Sequence, residues 1–441
     1  MLHYIAPVTA TSPRTNEQML LCAFLALHFA LLFMHWGEIT GHDAEAFLGT
    51  VHRMNIFGSL PDFRMNLTDY HPPLSFLLAK AFSVFTGNPV TGTQLLSSLS
   101  FLGAFLLLRS SLKRVDTLYT TPGIIFLYTS LSLPAFIYLA RAITYDSFQF
   151  FLTILTLYLS IRFFWQQSAG PQRRSVWLGR IFVLSAVLTA GLLTKYSCLL
   201  NFFLPFFVLL IRMQTSSSRE YFLSCIIACS LALLAVVPFY YIRYYQTEGS
   251  LMPVGMEWQR PEDLAQMRFL RDTQRVTFLL HMLRVPSRPF WKEAPVQDSL
   301  WHRLWFDTWK GDPLWGPQTK ISDLLSTFYA TTALPLFFLG IMFFLWKWGR
   351  TYTDFSDFGW LLLLQSTLSC IALLAFAYQY PLFDWGIFKA EYVPIVPLFL
   401  MYCVVVAIHS TTQHIPRDRY STAILAALLA FMSVNHLLPV Y

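Results

Sequence analysis

Long apolar runs joined by short polar connections dominate the pattern of the chain. A helix needs about 20 consecutive apolar residues to cross the hydrocarbon core of a bilayer, and several runs reach that length. This rule predicts about eleven spanning helices, at residues 19–36, 91–109, 120–140, 143–164, 176–194, 198–212, 220–243, 325–346, 358–379, 391–409 and 420–438. The sequence therefore predicts an all-α polytopic membrane protein.

The segment from Pro72 to Gly87 is apolar, but it has only about 16 residues and carries Lys80 near its middle. We predict that it lies in the membrane interface as an amphipathic helix of the first outer loop. With this assignment the basic residues of the short connections all collect on one side of the membrane. They are Arg109, Lys113, Arg114, Arg162, Arg173, Arg174, Arg180, Arg212, Arg219, Lys347, Arg350, Arg417 and Arg419.

Lys and Arg concentrate in cytoplasmic connections, so the pattern predicts a cytoplasmic N-terminus. If the segment 72–87 crossed the membrane, the basic cluster 109–114 and every later basic loop would move outside, and we reject that topology. We predict three parts of the chain. They are a transmembrane module at 1–245 with its outer loop at 37–88, an extracytoplasmic insertion at 246–324, and C-terminal transmembrane helices at 325–441. The insertion is rich in Trp, as folded segments packed on a membrane are and disordered linkers are not.

Composition supports this class of protein. The chain has 441 residues, of which 55% are hydrophobic and 12% charged, whereas about a quarter of the residues of soluble domains are charged. The net charge of +7 reflects the basic connections and gives no support to nucleic-acid binding. All six Cys lie inside apolar runs, where free Cys behaves as a small hydrophobe. No disulfide framework or zinc spacing is present.

Several ionisable residues at helix ends are predicted to share the outer side of the membrane. Such residues are expensive to keep near lipid and are usually functional. They are Asp43, Glu45, His71, Arg141, Asp146, Lys195, Lys389 and Glu391. Carboxylates that face a group of cations suit a reaction that deprotonates a hydroxyl while a phosphate departs.

The order of these motifs resembles the membrane glycosyltransferases of the GT-C fold. An acid follows the first helix; His71-Pro72-Pro73-Leu74 opens an interfacial helix; the stretch 141–146 and Gly191-Leu192-Leu193-Thr194-Lys195 follow, and Phe388-Lys389 precedes Tyr392, Pro394 and Pro397. The similarity is greatest to the protein O-mannosyltransferase and aminoarabinose-transferase-like group (glycosyltransferase families 39 and 83). Two positions differ from that group. Ala44 separates Asp43 from Glu45, where the family often has adjacent acids, and His71 stands where it often has Lys.

This resemblance implies an inverting transfer of a sugar from a polyprenyl-phosphate donor, undecaprenyl or dolichyl, to a hydroxyl of a lipid, glycan or protein acceptor at the outer face of the bilayer. It implies that Asp43 is the general base and that Arg141 and Lys195, with His71 and Lys389, contact the departing phosphate. Asp146 would orient Arg141 or the sugar, and Glu45 would support Asp43 as a substrate-binding residue. In its structural interpretation Glu45 instead pairs with a nearby Arg. The reaction needs no metal or cofactor. We expect a bacterial inner membrane in preference to the endoplasmic reticulum.

Each of these residues also has a structural interpretation. Asp43 could cap a helix, His71 could precede a helix that begins with Pro, and Arg141 and Lys195 could be anchors that extend to the interface. The alternative function is a polytopic transporter or flippase of a lipid-linked sugar. Transporters often contain repeated halves and ionisable groups at the bilayer midplane. The sequence has neither an internal repeat nor a strong charge cluster within a span.

Overall fold

The structure is a computed structural model of the chain. It describes residues 13–41, 43–55, 60–65, 68–165, 174–212, 218–251, 276–277, 280, 283, 299–310, 320–348, 354–379, 392–412 and 417–437. These residues form helices and their connections, and no strand occurs among them. The predicted all-α class is confirmed.

Fifteen helices are numbered here in chain order. They are α1 Pro13–Met34, α2 Ala44–Arg53, α3 Leu74–Thr86, α4 Pro89–Arg114, α5 Thr121–Leu131, α6 Pro134–Arg141, α7 Asp146–Phe164, α8 Arg174–Leu192, α9 Leu204–Arg212, α10 Ser218–Tyr240, α11 Leu300–Lys310, α12 Lys320–Trp348, α13 Asp354–Gln379, α14 Ile395–Thr412 and α15 Arg417–Leu437. A 3₁₀ helix, Tyr196–Phe203, leads into α9. A π-helical turn, Tyr241–Tyr245, and a last turn, Gln246–Glu248, extend α10.

Eight helices of the described part are long and apolar enough to cross a membrane, namely α1, α4, α7, α8, α10, α12, α13 and α14. The bent pair of α5 and α6 is long and apolar enough only when the two helices are taken together, as one broken span or as a re-entrant loop. Of the remaining predicted spans, 198–212 coincides with the shorter apolar helix Tyr196–Arg212, and 420–438 with the apolar stretch Ala423–His436 of α15. In the part of the chain that the structure describes, the predicted spans thus coincide with helix, but eight or nine of these helices, rather than eleven, are long and apolar enough to cross a membrane. The helix α3 has 13 residues, and at about 1.5 Å per residue it is too short to cross.

The break between α5 and α6 bends the chain by 54°. Pro134 is the first residue of α6 and has no N–H to continue the hydrogen bonds of α5, so the helix must restart there. The side chain of Asn435 in α15 donates to the Ser132 carbonyl at the break over 2.8 Å. The backbone group that the break leaves without a helical partner is therefore satisfied by another helix.

The two ends of the helix bundle differ in their ion pairs. At one end Arg109 of α4 donates two hydrogen bonds to the buried carboxylate of Glu17 in α1, over 2.7 and 2.8 Å. At the same end Arg212 of α9 pairs with Asp354 and Asp357 of α13, over 3.1 and 2.6 Å. Both arginines belong to the set predicted to share one side of the membrane. We call this end the Glu17 end and the other the α2 end.

The helices α2 and α3 pack on each other at the α2 end. Phe47 and Val51 of α2 and Phe76 of α3 form a small apolar core with Ile143 and Tyr145, which lie in the connection between α6 and α7. The ring centres of Phe47 and Phe76 are 4.7 Å apart. This core fixes the first residues of α2 beside the connection between α6 and α7.

The predicted division into three parts falls partly outside the described residues. The helical run from α10 continues to Glu248, past the predicted boundary at 245, and α12 begins at Lys320, before 325. Between them α11 packs on α12, with the Trp305 indole N–H donating to the Ala330 carbonyl over 3.3 Å. The division itself stays a prediction.

Candidate active site

Two loops meet at the α2 end because a glycine permits their contact. The Ile143 N–H donates to the Thr40 carbonyl over 2.8 Å. Gly41 has φ +129°, and a Cβ at this position would lie 3.1 Å from the Ile143 carbonyl oxygen. A side chain would thus be strained by the backbone and crowded by its neighbour. The contact places Asp43 next to the stretch from Ile143 to Asp146.

Asp43 stands at the N-cap position of α2, yet its side chain makes no capping hydrogen bond. An Asp at this position ordinarily accepts from the first turn of its helix. Its backbone is left-handed, with φ 57° and ψ 20°, a conformation that costs a residue with a side chain about 1–2 kcal/mol. The side chain therefore does not cap the helix that it begins, and the interpretation of Asp43 as a simple helix cap fails.

A buried ion pair joins the start of α7 to the end of α8. The Lys195 ammonium lies 2.5 Å from Oδ1 of Asp146. The Thr144 hydroxyl donates to Oδ2 of the same carboxylate over 2.8 Å. Lys195 follows the end of α8, and the Leu74 N–H donates to the Leu193 carbonyl over 2.8 Å, which ties this end to α3. Both charges of the pair are satisfied although both side chains are about nine-tenths buried.

Aromatic rings surround the Lys195 ammonium and the neighbouring imidazole. The ammonium nitrogen is 4.7 Å from the ring centre of Tyr145 and 3.7 Å from that of Tyr392. The His71 ring lies 4.2 Å from Tyr145 and 4.1 Å from Tyr70, centre to centre. We call Tyr70, His71, Tyr145 and Tyr392 the ring stack, with Lys195 between its last two members.

The ring stack has the electrostatics of a buried site. Burial lowers the pKa of His71 well below its usual value, and the positive charge of Lys195 lowers it further. Burial raises the pKa of Tyr70, and the charges of Asp43 and Asp146 add to that effect. Tyr145 likewise has a raised pKa, first from burial and then from its neighbours, which include both carboxylates. Both carboxylates therefore act on the same two phenols, and His71 is a neutral imidazole at pH 7.

A second buried carboxylate ties α2 to the segment that carries His71. Asp69 is fully buried and accepts two hydrogen bonds from Arg53 at the end of α2, over 2.9 and 2.7 Å. The Thr50 hydroxyl donates to the same carboxylate over 2.5 Å, and it contacts the Thr68 hydroxyl over 2.7 Å. The helix that begins at Asp43 is thus held at its far end by the residue two positions before His71.

Three successive backbone carbonyls before α3 are held by side chains from other elements. Arg243 of the π-helical turn donates to the Asp69 carbonyl over 3.5 Å. The Tyr196 hydroxyl donates to the Tyr70 carbonyl over 3.0 Å. The Tyr244 hydroxyl donates to the His71 carbonyl over 3.5 Å. The end of α10 and the start of the 3₁₀ helix thereby position the backbone of this segment.

The structure places the residues predicted from sequence as follows. It brings Asp43, His71, Asp146 and Lys195 together at the α2 end. Arg141 is buried as the last residue of α6, five residues before Asp146 in the chain. Glu45 is exposed in the first turn of α2 and has no ion pair with a described residue, so the expected pairing with an Arg is not found there. Lys389 and Glu391 lie outside the described residues.

Sequence reasoning missed the aromatic part of the site and Asp69. Tyr70 and Tyr145 directly precede His71 and Asp146, and Tyr392 closes the motif that contains Lys389. Aromatic residues are so frequent in this chain, at 17% of all residues, that their sequence positions carried no usable signal. Asp69 was missed because a loop acid shows its burial only when its partner helix is known.

Two crystal structures are similar to this chain in the course of their helices. ArnT from Cupriavidus metallidurans bound to undecaprenyl phosphate has 14% sequence identity, with 89% of this chain and 77% of that chain covered and a TM-score of 0.41. ArnT from the same organism in the apo state has 13% identity, with 89% and 76% covered and a TM-score of 0.40. No protein-family profile and no curated protein sequence matches the chain. A similarity with identities and TM-scores this low transfers neither site residues nor activity.

Proposed function

We propose that the chain is an inverting glycosyltransferase that moves a sugar from a polyprenyl-phosphate donor to an acceptor hydroxyl. The observation that carries the proposal is the grouping of Asp43, Asp146 and Lys195 at one end of a membrane helix bundle. Arg141, which precedes Asp146 by five residues in the sequence, is also buried. A donor with a polyprenyl tail resides in the bilayer, so its phosphate has to be met at a membrane face. The ordered motifs that resemble the GT-C glycosyltransferases support the same reaction.

Asp43 is the proposed general base. Its carboxylate makes no capping hydrogen bond with α2 and lies close enough to raise the pKa of Tyr70 and Tyr145. The residue is partly exposed at the α2 end, so an acceptor hydroxyl can approach it. A carboxylate in hydrogen-bond reach of that hydroxyl takes its proton as the oxygen attacks the anomeric carbon, while the bond from that carbon to the phosphate oxygen breaks. General base catalysis contributes about 10² to 10⁴ in rate.

Lys195 and Arg141 are the proposed partners of the departing phosphate. A fixed cation stabilises the negative charge that develops on the leaving oxygen, and in a buried site this effect is larger than in water. Arg is suited to hold two phosphate oxygens at once. His71 is neutral at pH 7, so its contribution is a hydrogen bond rather than a positive charge. Asp146 holds Lys195, and Lys389 is proposed to complete the cation group.

We place this reaction on the extracytoplasmic face of a bacterial inner membrane. The basic residues Arg109 and Arg212 lie at the Glu17 end, opposite the proposed site. Cytoplasmic connections are enriched in such residues, which favours a cytoplasmic Glu17 end and an outer α2 end. The acceptor is a lipid, glycan or protein that reaches the α2 end, and Glu45 is proposed to contribute to substrate binding there.

The test is transfer of a radiolabelled sugar from undecaprenyl phosphate or dolichyl phosphate by the purified protein, with an extract of host membranes as the source of acceptor. We expect Asp43→Asn to lower kcat at least about 100-fold. The matched control is Glu38→Gln, because Glu38 is an exposed acid at the same end that pairs only with His35 in the described contacts of its side chain. Equal transfer by Asp43→Asn would rule out the proposed base. Movement of the donor across proteoliposomes without transfer would favour the flippase alternative.

A further inference from the structure

The ring stack and Lys195 together connect four separate parts of the chain. Tyr70 and His71 precede α3, Tyr145 precedes α7, Lys195 follows α8, and Tyr392 lies in the turn before α14. The order in space is Tyr70, His71, Tyr145, the Lys195 ammonium and Tyr392, with successive separations of 4.1, 4.2, 4.7 and 3.7 Å. The shortest of these contacts is the one made by the residue that is most distant in sequence.

Lys195 has little freedom in this arrangement. Its ammonium has three N–H donors, and one of them faces Asp146 over 2.5 Å. The rings of Tyr145 and Tyr392 lie within the distance of about 6 Å at which a ring attracts a cation. Three of the directions around the nitrogen are therefore occupied by groups that attract positive charge. These three groups therefore fix the position of the positive charge.

Tyr392 is held by α7, the same helix that begins with Asp146. The side-chain amide of Gln149 donates to the Tyr392 carbonyl over 3.1 Å, and Gln149 is buried. One turn of α7 thus carries both the carboxylate that pairs with Lys195 and the amide that anchors the backbone of Tyr392. The helix α7 therefore positions both the carboxylate and the backbone that carries the ring.

We propose that Tyr392 is a positioning residue of the site, which fixes the Lys195 ammonium so that its positive charge stays beside the departing phosphate. This inference rests on the proposed function for its purpose, and on the contacts of Lys195 for its geometry. The aromatic face of Tyr392 carries the effect, and its hydroxyl does not. Phe at this position should therefore keep the Lys195 ammonium in place, whereas Leu should not.

The first experiment measures the position of Lys195 without any sugar transfer. The purified protein in detergent is treated with an acetylating reagent, and acetylation of Lys195 is followed by mass spectrometry with the exposed Lys113 as internal reference. We expect Tyr392→Leu to raise the rate at Lys195 about tenfold, the order of effect expected for loss of one desolvated cation–π contact. The acetylation rate of Lys195 in Tyr392→Phe should stay within about twofold of the rate in the unchanged protein. Equal rates in all three proteins overturn the proposal.

The second experiment measures donor-dependent kinetics of the same variants. A misplaced ammonium stabilises the departing phosphate less, so Tyr392→Leu should lower kcat about tenfold and change the KM for the donor much less. Tyr392→Phe should restore kcat. The control is Tyr241→Leu, because Tyr241 is an exposed tyrosine of the π-helical turn after α10, with its ring stacked on Tyr245.

The two experiments separate this proposal from the proposed function. An acetylation rate that responds to Tyr392→Leu, in a protein without transferase activity, supports the positioning of Lys195 and overturns the reaction. Transferase activity with equal acetylation rates overturns the positioning and keeps the reaction. If Tyr392→Leu fails to fold, Tyr392→Met gives the same comparison, because Met fills an irregular gap and has no aromatic face.

Discussion

Replacing Asp146 by Asn tests the buried ion pair on which the site is built. The substitution keeps the size of the side chain and removes its charge, so that the Lys195 ammonium stays buried without its carboxylate. At the separation of 2.5 Å the attraction between the two charges is about 7 kcal/mol at an effective dielectric constant of about 20. Desolvation of the two groups offsets most of it. Leaving one charge buried without its partner nevertheless costs about 3–5 kcal/mol.

The rings of Tyr145 and Tyr392 remain on Lys195 in this variant. Because they retain part of the attraction, we expect the lower value, about 3 kcal/mol of lost unfolding free energy. The measurement is unfolding in mixed micelles titrated with sodium dodecyl sulfate and followed by Trp fluorescence. A double-mutant cycle with Lys195→Met isolates the pair, and the double variant should be more stable than the sum of the single changes by about 3 kcal/mol.

The control for this cycle is Glu38→Gln, which removes an exposed pair with His35 and should change the unfolding free energy by less than about 1 kcal/mol. If Asp146→Asn unfolds at the same detergent composition as the unchanged protein, the two charges do not depend on each other. A coupling free energy near zero in the double-mutant cycle would refute the reasoning in the same way.

Two further predictions concern the backbone contact and the imidazole. The pKa of His71 is lower in the folded protein than in the unfolded chain, so the unfolded chain binds the extra proton and stability is lost as pH falls below about 6.5. Between about pH 7.5 and pH 5.5, the unfolding free energy of the unchanged protein should fall by about 1.4 kcal/mol more than that of His71→Asn. Gly41→Ala, at φ +129° with Ile143 at 3.1 Å, should lower the unfolding free energy by about 2 kcal/mol. Gly37→Ala, at φ +85° with nothing within 4 Å, should lower the unfolding free energy by less. Equal losses in the two variants would contradict the contact between Gly41 and Ile143.

The spans were predictable because the bilayer imposes one requirement on every helix that crosses it. Runs of apolar residues meet that requirement visibly, and the positions of α4, α7 and α8 follow from them. The break at Pro134 had a signal in the sequence, since proline cannot continue a helix. The run 120–140 was nevertheless interpreted as one span, because apolar length alone does not report a bend that another helix, through Asn435, makes tolerable.

The membership of the site was predictable in part. Topology alone puts Asp43, Asp146 and Lys195 on one side of the membrane, and the structure brings them together. The partner of each group was not predictable, because it depends on how α7 and α8 are rotated about their axes. Asp146 was expected to orient Arg141 or the sugar, which stays a prediction, and the contact of its carboxylate with Lys195 was not foreseen. The charge of His71 likewise depends on burial, which a single sequence does not reveal.

The three carbonyls before α3 have a consequence for how this site can change. Arg243, Tyr196 and Tyr244 hold the segment 69–71 through its main chain, and every amino acid supplies the same carbonyl group. The side chains of residues 70 and 71 can therefore be exchanged while the path of the chain stays fixed. A lineage could replace the neutral imidazole by a permanent cation, and so alter the charge presented to substrate, in a single substitution that leaves the frame intact.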